Sequence, residues 1–291
     1  MLYLLDASIF LFRGWFALPD SITTAAGEPA NAFRGFATTL VDLLPETGGQ
    51  PLLICFDESL SSSFRNEIDP DYKANRELPP PELECQFRWA RTLSEALGLP
   101  VLASDYFEAD DLMASAARLA RDQALPITLI SRDKDLAQLL RPGDYFWEGP
   151  GKAARDRDAV AERFGFPPER MADYLALVGD PVDNIPGVPG IGAKTAARLF
   201  SLYSDLDALY ADLDGLLEHG LRGAARLRER LQAHREVAFR ARALTRLRDD
   251  APLPFDALPP RGPVDPSALN ELDRLVGLGR ANRRKLGLAH A

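Results

Sequence analysis

GDPVDNIPGVPGIGAKTAA, residues 179–197, is the stretch that says most about the fold of this chain. Two acids, Asp180 and Asp183, open it, and four glycines and three prolines interrupt any regular helix before Lys194. Proline fixes φ and stops a helix, whereas glycine permits positive φ and leaves its backbone N–H uncovered by a Cβ. The stretch therefore predicts a turn between two helices, with carboxylates at its start and a surface for anions at its end.

The end of this stretch suits a phosphate group. A helix that begins near Gly192 adds the positive end of its dipole and the free N–H groups of its first turn, and Lys194 adds a full charge. The candidate phosphate-binding residues are Gly187, Gly190, Gly192, Lys194 and Thr195. Taken alone, the pattern also fits an ordinary loop between two capped helices, and this alternative stays open.

Composition indicates a globular cytoplasmic protein. The 291 residues suffice for one large domain or two ordinary ones, and 46% apolar with 26% charged residues is a typical globular balance. No run approaches the length of a membrane span, and the N-terminus lacks a basic region and a cleavage site, so we expect no membrane association. Cys55 and Cys85 lack a CxxC spacing, which argues against zinc and against a disulfide framework.

Short apolar runs occur at residues 2–5, 51–56 and 126–130, separated by segments of helix length. Such runs predict buried strands of a parallel sheet in α/β alternation. Acids stand at or just past the end of each run, namely Asp6, Asp57, Asp133 and Asp135. Because ligands bind at the carboxyl edge of such sheets, we expect the three strands to deliver carboxylates to one crevice.

Three segments have helical periodicity. Residues 30–44 and 81–97 carry apolar stripes, and residues 109–120 are alanine-rich. The start of the third carries Glu108, Asp110 and Asp111. At a helix N-terminus these acids can point into the crevice, or they can simply favour the dipole of a solvated helix. From residue 153 onward the chain is predicted to be helical, with arginines crowding residues 221–248.

The segment between residues 57 and 79 is polar and lacks apolar periodicity. It contains Arg65, Tyr72, Lys73 and Arg76, so an aromatic side chain lies among the cations. Such a segment is either a solvated loop or a stretch that becomes ordered on a polyanion.

The candidate metal ligands are all carboxylates. Gathering so many in one cleft would be prohibitively repulsive unless cations neutralised them. Oxygen-only ligands select Mg²⁺ or Mn²⁺, and a pair of such ions supports attack of water on a phosphodiester. The set is Asp6, Asp57, Glu108, Asp110, Asp111, Asp133, Asp135, Asp180 and Asp183. The net charge of −9 opposes binding to nucleic acid unless these acids form such a site.

Several blocks together resemble the 5′-nuclease family, which includes the N-terminal domain of bacterial DNA polymerase I, phage 5′-exonucleases and eukaryotic flap endonucleases. The blocks are LLDASIFLFRG, ICFD, YKANR, FEADD, SRDKDLAQLL and DYLALVGDPVDNIPGVPGIGAKTA. They cover nearly the whole chain and together are highly specific. Ala7 and Arg132 depart from the family pattern, which often has glycine at both places.

The resemblance implies an α/β fold in two parts. Residues 1–168 would form a PIN-like or Rossmann-like nuclease core with a parallel sheet and an arch or clamp at about 59–85. Residues 169–291 would form a helical DNA-binding region with a helix-three-turn-helix at about 179–200. The expected protein is a stand-alone, monomeric 5′-3′ exonuclease.

The resemblance also implies residue roles. Asp6, Asp57, Glu108 and Asp110 would bind the first of two Mg²⁺ ions, for which Mn²⁺ can substitute. Asp133, Asp135 and Asp180 or Asp183 would bind the second, with Asp110 between the ions and Asp111 in the outer shell. Phe12 and Arg13 would meet DNA near the scissile phosphate. Lys73 and Arg76, which would lie beside Tyr72 in the clamp, would stabilise the negative charge of the scissile phosphate. Carbonyl groups of the helix-three-turn-helix would bind K⁺.

The implied activity is Mg²⁺-dependent 5′-3′ exonuclease and flap endonuclease cleavage of DNA, in primer removal or repair. Its partners would be flapped, nicked, gapped or primer-template DNA. One alternative is a structure-specific DNA-binding module with weak or no turnover, which the complete acid set disfavours. Another is a PIN-like ribonuclease, which the helix-three-turn-helix disfavours.

Overall fold

A computed structural model describes residues 1–58 and 63–288. Its main sheet contains six strands in the order β3-β2-β1-β4-β5-β6. The strands are β1 Leu2–Asp6, β2 Leu52–Asp57, β3 Val101–Ser104, β4 Ile127–Ile130, β5 Tyr145–Trp147 and β6 Arg155–Asp156. All neighbours pair in parallel except β5 and β6. The predicted α/β fold with a mostly parallel sheet is therefore present.

The sheet divides the apolar interior into two cores, because successive side chains of a strand point to opposite faces. On one face, Leu4 and Leu53 pack with helix α5 (Ala109–Asp122). On the other face, Leu5 and Ile54 pack with three helices. These are α1 Ala7–Ala17, α2 Asn31–Glu46 and α4 Pro81–Ala96. Burial of both faces explains why β1, β2 and β4 are nearly continuous apolar runs.

The rest of the chain is mainly helical. A short helix, α3 Phe64–Ile68, precedes α4. The later helices are α6 Arg157–Phe164, α7 Met171–Val178, α8 Ala193–Leu202, α9 Leu206–Ala211, α10 Ala224–Ala233, α11 Arg235–Thr245, α12 Pro266–Val276 and α13 Arg280–Lys285. No described helix combines the length and apolarity that a membrane crossing requires.

Two details differ from the prediction of helices alone after residue 153. Strand β6 falls in this region, and a two-stranded ladder, β7 Gly179–Asp180 with β8 Ile185–Pro186, forms between α7 and α8. In addition, α12 packs against α4 and α13 against α2. The C-terminal helices therefore return to the N-terminal part of the molecule.

Candidate metal centre and nucleic-acid interface

The predicted acids gather at the carboxyl edge of the sheet. Asp6 and Asp57 end β1 and β2, Glu108 caps α5 after β3, and Asp133 follows β4. The strand order reverses between β1 and β4, and ligands of open α/β sheets bind at such a point. There, a cavity of about 220 Å³, called here the acidic cavity, is lined by Asp6, Asp57, Glu108, Asp110, Asp133, Asp135 and Asp183.

Asp6 is held rigidly at the start of α1. Its Oδ1 accepts a hydrogen bond from the Ile9 N–H (3.2 Å), and its Oδ2 accepts one from the Ser131 hydroxyl (2.9 Å). Burial raises the pKa of Asp6 to about 7, and the negative charges of Asp57 and Asp133 act in the same direction. Both effects disfavour the carboxylate when no external cation is present.

Asp57, Asp110 and Asp135 are subject to the same two effects. Burial raises the pKa of all three carboxyls, and a neighbouring acid adds to it: Glu108 for Asp57, and Asp133 for Asp110 and Asp135. The pKa of Asp135 reaches about 7. Its Oδ1 is buried and accepts no hydrogen bond within the described part of the chain, although Lys134 Nζ lies 3.3 Å away.

Cations of the chain itself lie on several of these acids. Lys73 Nζ is 2.7 Å from Glu108 Oε2, Lys134 Nζ is 2.9 Å from Asp180 Oδ2, and Arg76 is paired with Asp183. Burial favours protonated Glu108, but Lys73 and Arg65 outweigh burial and lower the pKa of its carboxyl.

The donor set fits hard divalent ions such as Mg²⁺, because every candidate ligand is a carboxylate and several repel one another. However, among residues 1–58 and 63–288 no three His, Cys, Asp or Glu side chains are arranged so that they could hold an ion as they stand. Side-chain ammonium and guanidinium groups occupy part of the acids instead. A divalent ion would therefore have to displace these cations.

The polar segment predicted as a loop is ordered where it is described. Residues 69–76, called here the clamp segment, dock on the turn after α7. The Lys73 N–H donates to the Asp183 carbonyl (3.0 Å), Asn75 Nδ2 to the Pro181 carbonyl (3.0 Å), and Asn184 Nδ2 to the Asp71 carbonyl (2.7 Å). This contact brings Lys73 to the acidic cavity. Residues 59–62 of the predicted arch lie outside the described residues.

Arg65 and Asp111 bind each other at the base of this segment. Arg65 is only 2% exposed and forms a bidentate pair with Asp111 (2.7 and 2.9 Å), whose carboxylate also accepts from the backbone N–H of Arg248 (2.9 Å) and of Glu108 (3.2 Å). All of these partners belong to the protein. The pair is a structural link, and Arg65 also lines the acidic cavity.

This link leads to a stability prediction. We expect Arg65→Ala to lower the free energy of unfolding by about 3–5 kcal/mol, because Asp111 would remain buried without its counter-ion. Arg91→Ala is the matched control: Arg91 pairs with Glu58 and Glu95 at the surface, and its loss should cost less than about 1 kcal/mol. Urea unfolding measures both, and equal losses would contradict the structural role of the pair.

Tyr72 lies at the acidic cavity, whereas Arg13 and Asp180 lie outside its lining. Tyr72 is 4% exposed and its hydroxyl lies 3.2 Å from both Glu108 Oε2 and Asp183 Oδ2, so it faces the acids and is not available for stacking on a base. Arg13 is exposed on α1 and does not line the acidic cavity. Asp180 also lies outside the lining, where Lys134 and the Val182 N–H (2.9 Å) bind it. Phe12 does line the cavity.

Comparison with known protein families identifies the family to which this chain belongs. Residues 1–165 match the 5′-3′ exonuclease N-terminal resolvase-like domain, and residues 166–263 match the 5′-3′ exonuclease C-terminal SAM fold. The chain belongs to the 5′-3′ exonuclease family. The resemblance inferred from the sequence blocks is thus confirmed.

Relatives of this 5′-3′ exonuclease chain include much longer proteins. It is 39% identical over 262 residues to DNA polymerase I of Rhizobium leguminosarum, a match that covers 88% of the chain and 25% of the polymerase. It is 38% identical over 253 residues to DNA polymerase I of Pseudomonas aeruginosa, covering 87% of the chain and 28% of the polymerase. The chain thus spans about a quarter of the length of these relatives.

Solved structures share the fold. The bacteriophage T5 flap endonuclease, in a complex with DNA and metal ions, superposes with a TM-score of 0.66 at 20% identity over 98% of both chains. The catalytic core of Rad2, in complex with a DNA substrate, superposes with a TM-score of 0.62 at 16% identity over 99% of this chain and 92% of that core. At such identities the likeness concerns the fold alone.

In this 5′-3′ exonuclease chain the turn of residues 179–192, called here the glycine turn, needs glycine for two different reasons. Gly190 has φ +77°, as predicted. Gly187 does not have positive φ, but a Cβ there would lie 2.3 Å from the Val178 carbonyl carbon, so the turn packs directly on the end of α7. Gly192 adjoins open space. Lys194 is exposed and Thr195 is half-buried at the start of α8.

Sequence reasoning missed the side chains that support the acids. The Ser8 hydroxyl accepts from the Asp57 N–H (2.9 Å), and Ser131 binds Asp6 as described. Lys134 and Arg230 were also missed; Arg230 Nη1 donates to the Gly190 carbonyl (3.1 Å) and brings α10 to the glycine turn. Lys134 could have been found, since it stands between two candidate ligands in Asp133-Lys134-Asp135.

Proposed function

We propose that this chain is a Mg²⁺-dependent 5′-3′ exonuclease and structure-specific flap endonuclease that hydrolyses DNA phosphodiesters with two metal ions, in primer removal or repair. The observation that carries the proposal is the acidic cavity: seven carboxylates from five places in the sequence line about 220 Å³ at the carboxyl edge of the sheet. The raised pKa values of Asp6, Asp57, Asp110 and Asp135 support a need for external cations. The family membership supports the reaction class.

The proposed ligands divide by their place along the sheet. One ion would be held by Asp6, Asp57 and Glu108, the other by Asp133, Asp135 and Asp183, with Asp110 between them. Such ions activate a water molecule and stabilise the leaving oxygen of a phosphodiester. Mn²⁺ has the same ligand preference and can replace Mg²⁺. Asp180 would act through Lys134 and not as a direct ligand, because Lys134 lies on its carboxylate.

Lys73 and Arg76 would have two successive partners. In the ion-free protein they neutralise Glu108 and Asp183. With the acids neutralised by divalent ions, Lys73 and Arg76 would be free to contact a phosphate group in the cavity and to stabilise its developing charge. Their position on the clamp segment, docked on the glycine turn, supports a coupling between DNA binding and this release.

The glycine turn would hold the backbone of the duplex. Its exposed Gly190, Gly192 and Lys194 and the positive end of the α8 dipole are the features that support this role. Carbonyl groups of the turn are proposed to bind K⁺, although the Gly190 carbonyl already accepts a hydrogen bond from Arg230. The protein is proposed to act as a monomer.

One observation favours the alternative of a structure-specific DNA-binding module with weak or no turnover. No set of three acids among the described residues is already arranged to hold an ion, and chain cations occupy part of the cluster. The alternative differs from the main proposal in what divalent ions do, because they would then leave the DNA intact.

A labelled 5′-flap duplex, incubated with Mg²⁺, Mn²⁺, Ca²⁺ or EDTA, tests the proposal. We expect cleavage near the junction with Mg²⁺ or Mn²⁺, and binding without cleavage in Ca²⁺ or EDTA. Binding without cleavage at every Mg²⁺ and Mn²⁺ concentration would favour the DNA-binding module. Cleavage of a matched RNA flap only would instead identify a ribonuclease.

A further inference from the structure

A second cavity, called here the side cavity, opens next to the acidic one. It has a volume of about 460 Å³ and lies between α1, the loop after β4, strand β5 and helix α6. Ile9 and Asp133 line both cavities. The side cavity therefore adjoins the proposed catalytic site along these two residues.

The wall of the side cavity is apolar and its rim is cationic. Phe146, Val160 and Phe164 supply apolar surface, of which Phe146 and Val160 belong to the buried core. The cations at the rim are Arg132, Lys134, Arg155 and Arg163. An apolar wall beneath cations matches the two chemical parts of a nucleotide, an apolar base or sugar face and an anionic phosphate.

Arg132 differs from the other cations of the rim. Glu148 binds Arg155 (2.6 Å) and Arg163 (3.3 Å), and Asp180 binds Lys134 (2.9 Å). Arg132 is exposed, and within residues 1–58 and 63–288 no acidic side chain lies within ion-pair distance of it. Its guanidinium is thus available to an external anion.

The location of the side cavity limits which part of a substrate could reach it. Lys134 lines the side cavity, and its ammonium group binds Asp180, which lies at the start of the glycine turn. Lys134 therefore links the side cavity to the start of the glycine turn. Because the two cavities share Ile9 and Asp133, a strand with one phosphate at the acids has its neighbouring nucleotides beside the side cavity.

We propose that the side cavity binds one nucleotide of the substrate next to the scissile phosphate, with its phosphate on Arg132 and its sugar or base against Phe146 and Phe164. This proposal rests on the proposed nuclease function. Arg132 directly precedes Asp133, so a phosphate bound there sets the register of the strand against the acids. Arg132 is therefore a positioning residue of the reaction.

The first test compares Arg132→Ala with the wild type for binding of a 5′-flap duplex in Ca²⁺. We expect binding to weaken about tenfold, and the slope of log K against log salt to fall by about 1, as for one lost phosphate contact. Arg118→Ala is the matched control. Arg118 is an exposed arginine in the C-terminal half of α5, whose N-terminal end carries Asp110. Its affinity should stay within about twofold of the wild type.

The second test locates the phosphate. Neutral methylphosphonates are placed one at a time along the duplex, and the two proteins are compared on each. The difference between wild type and Arg132→Ala should disappear when the methylphosphonate replaces one particular phosphate next to the cleavage position. Equal affinity of the two proteins for the unmodified duplex, or a difference that persists at every position, overturns the proposal. Wild-type protein that fails to bind the duplex would instead refute the proposed function as well.

Discussion

Asp135→Asn is expected to lower the rate of flap cleavage by at least about a thousandfold while leaving duplex binding within about twofold. Asp135 Oδ1 is buried and lies 3.3 Å from Lys134 Nζ, and Asp133 and Asp180 add negative charge around it. An amide of the same shape keeps the packing but removes the charge that would bind an ion. Single-turnover cleavage in Mg²⁺ and equilibrium binding in Ca²⁺ measure the two quantities.

The same variant is expected to raise the stability of the ion-free protein, although it lowers the rate of cleavage. The pKa of Asp135 is raised to about 7, so the folded state binds a proton more tightly than the unfolded state. Stability therefore falls as pH rises from about 4 to 7. Without divalent ions, Asp135→Asn should be more stable than the wild type at pH 8 by about 1–3 kcal/mol and equally stable below pH 4. Added Mg²⁺ should stabilise the wild type more than the variant.

Asp122→Asn provides the control. Asp122 is an exposed acid at the C-terminal end of α5, the helix whose N-terminal end carries Asp110. It should change neither cleavage nor the pH dependence of stability. Retained turnover in Asp135→Asn, or unchanged stability at pH 8, would remove Asp135 from the proposed metal site.

Lys73→Ala is expected to lower the single-turnover rate by about a hundredfold to a thousandfold with the fold retained. Lys73 Nζ lies in the acidic cavity, 2.7 Å from Glu108, where it would face a phosphate group once ions bind. The backbone of Lys73 already has φ +55°, so alanine adds no backbone strain that lysine did not have. Circular dichroism and single-turnover cleavage measure the two effects.

The pH profile separates two roles of Lys73. If Lys73 only lowers the pKa of Glu108, the rate lost in Lys73→Ala should return as pH rises and Glu108 ionises without help. If Lys73 stabilises charge on the phosphate, the loss should persist from pH 7 to 9. Lys152→Ala, which removes an exposed lysine that does not line the acidic cavity, should cleave at the wild-type rate. Wild-type cleavage by Lys73→Ala would show that the clamp assignment is mistaken.

Much of the fold could be predicted because a strand that is buried on both faces of a sheet appears in the sequence as a continuous apolar run. The runs that became β1, β2 and β4 are apolar along nearly their whole length, since both faces of the central sheet are covered. Strand β3 is VLAS, mostly half-buried, and β5 has only three residues, so neither differs enough from a loop to be recognised. Their positions depend on pairing with β2 and β4.

The acids could be located for a related reason. A carboxylate at the end of a buried strand reaches the carboxyl edge whatever the rest of the chain does, which places Asp6, Asp57 and Asp133 together. Asp111 shows the limit of this argument. It directly follows Asp110 in the sequence, but it turns to Arg65, 46 residues away, and to Arg248, 137 residues away. The position of an acid in the sequence therefore does not predict whether its carboxylate faces the cavity or pairs with a group of the protein itself.

By itself, the sequence determined the parallel sheet, the acids at its edge and the glycine turn, because each follows from local periodicity, chain direction or backbone freedom. Only the tertiary structure decided which acids face the cavity, which are neutralised by Lys73, Lys134 and Arg76, and that Arg65 and Tyr72 are buried. Those outcomes depend on contacts between residues far apart in the chain, and the energy of a charge depends on its neighbours in space.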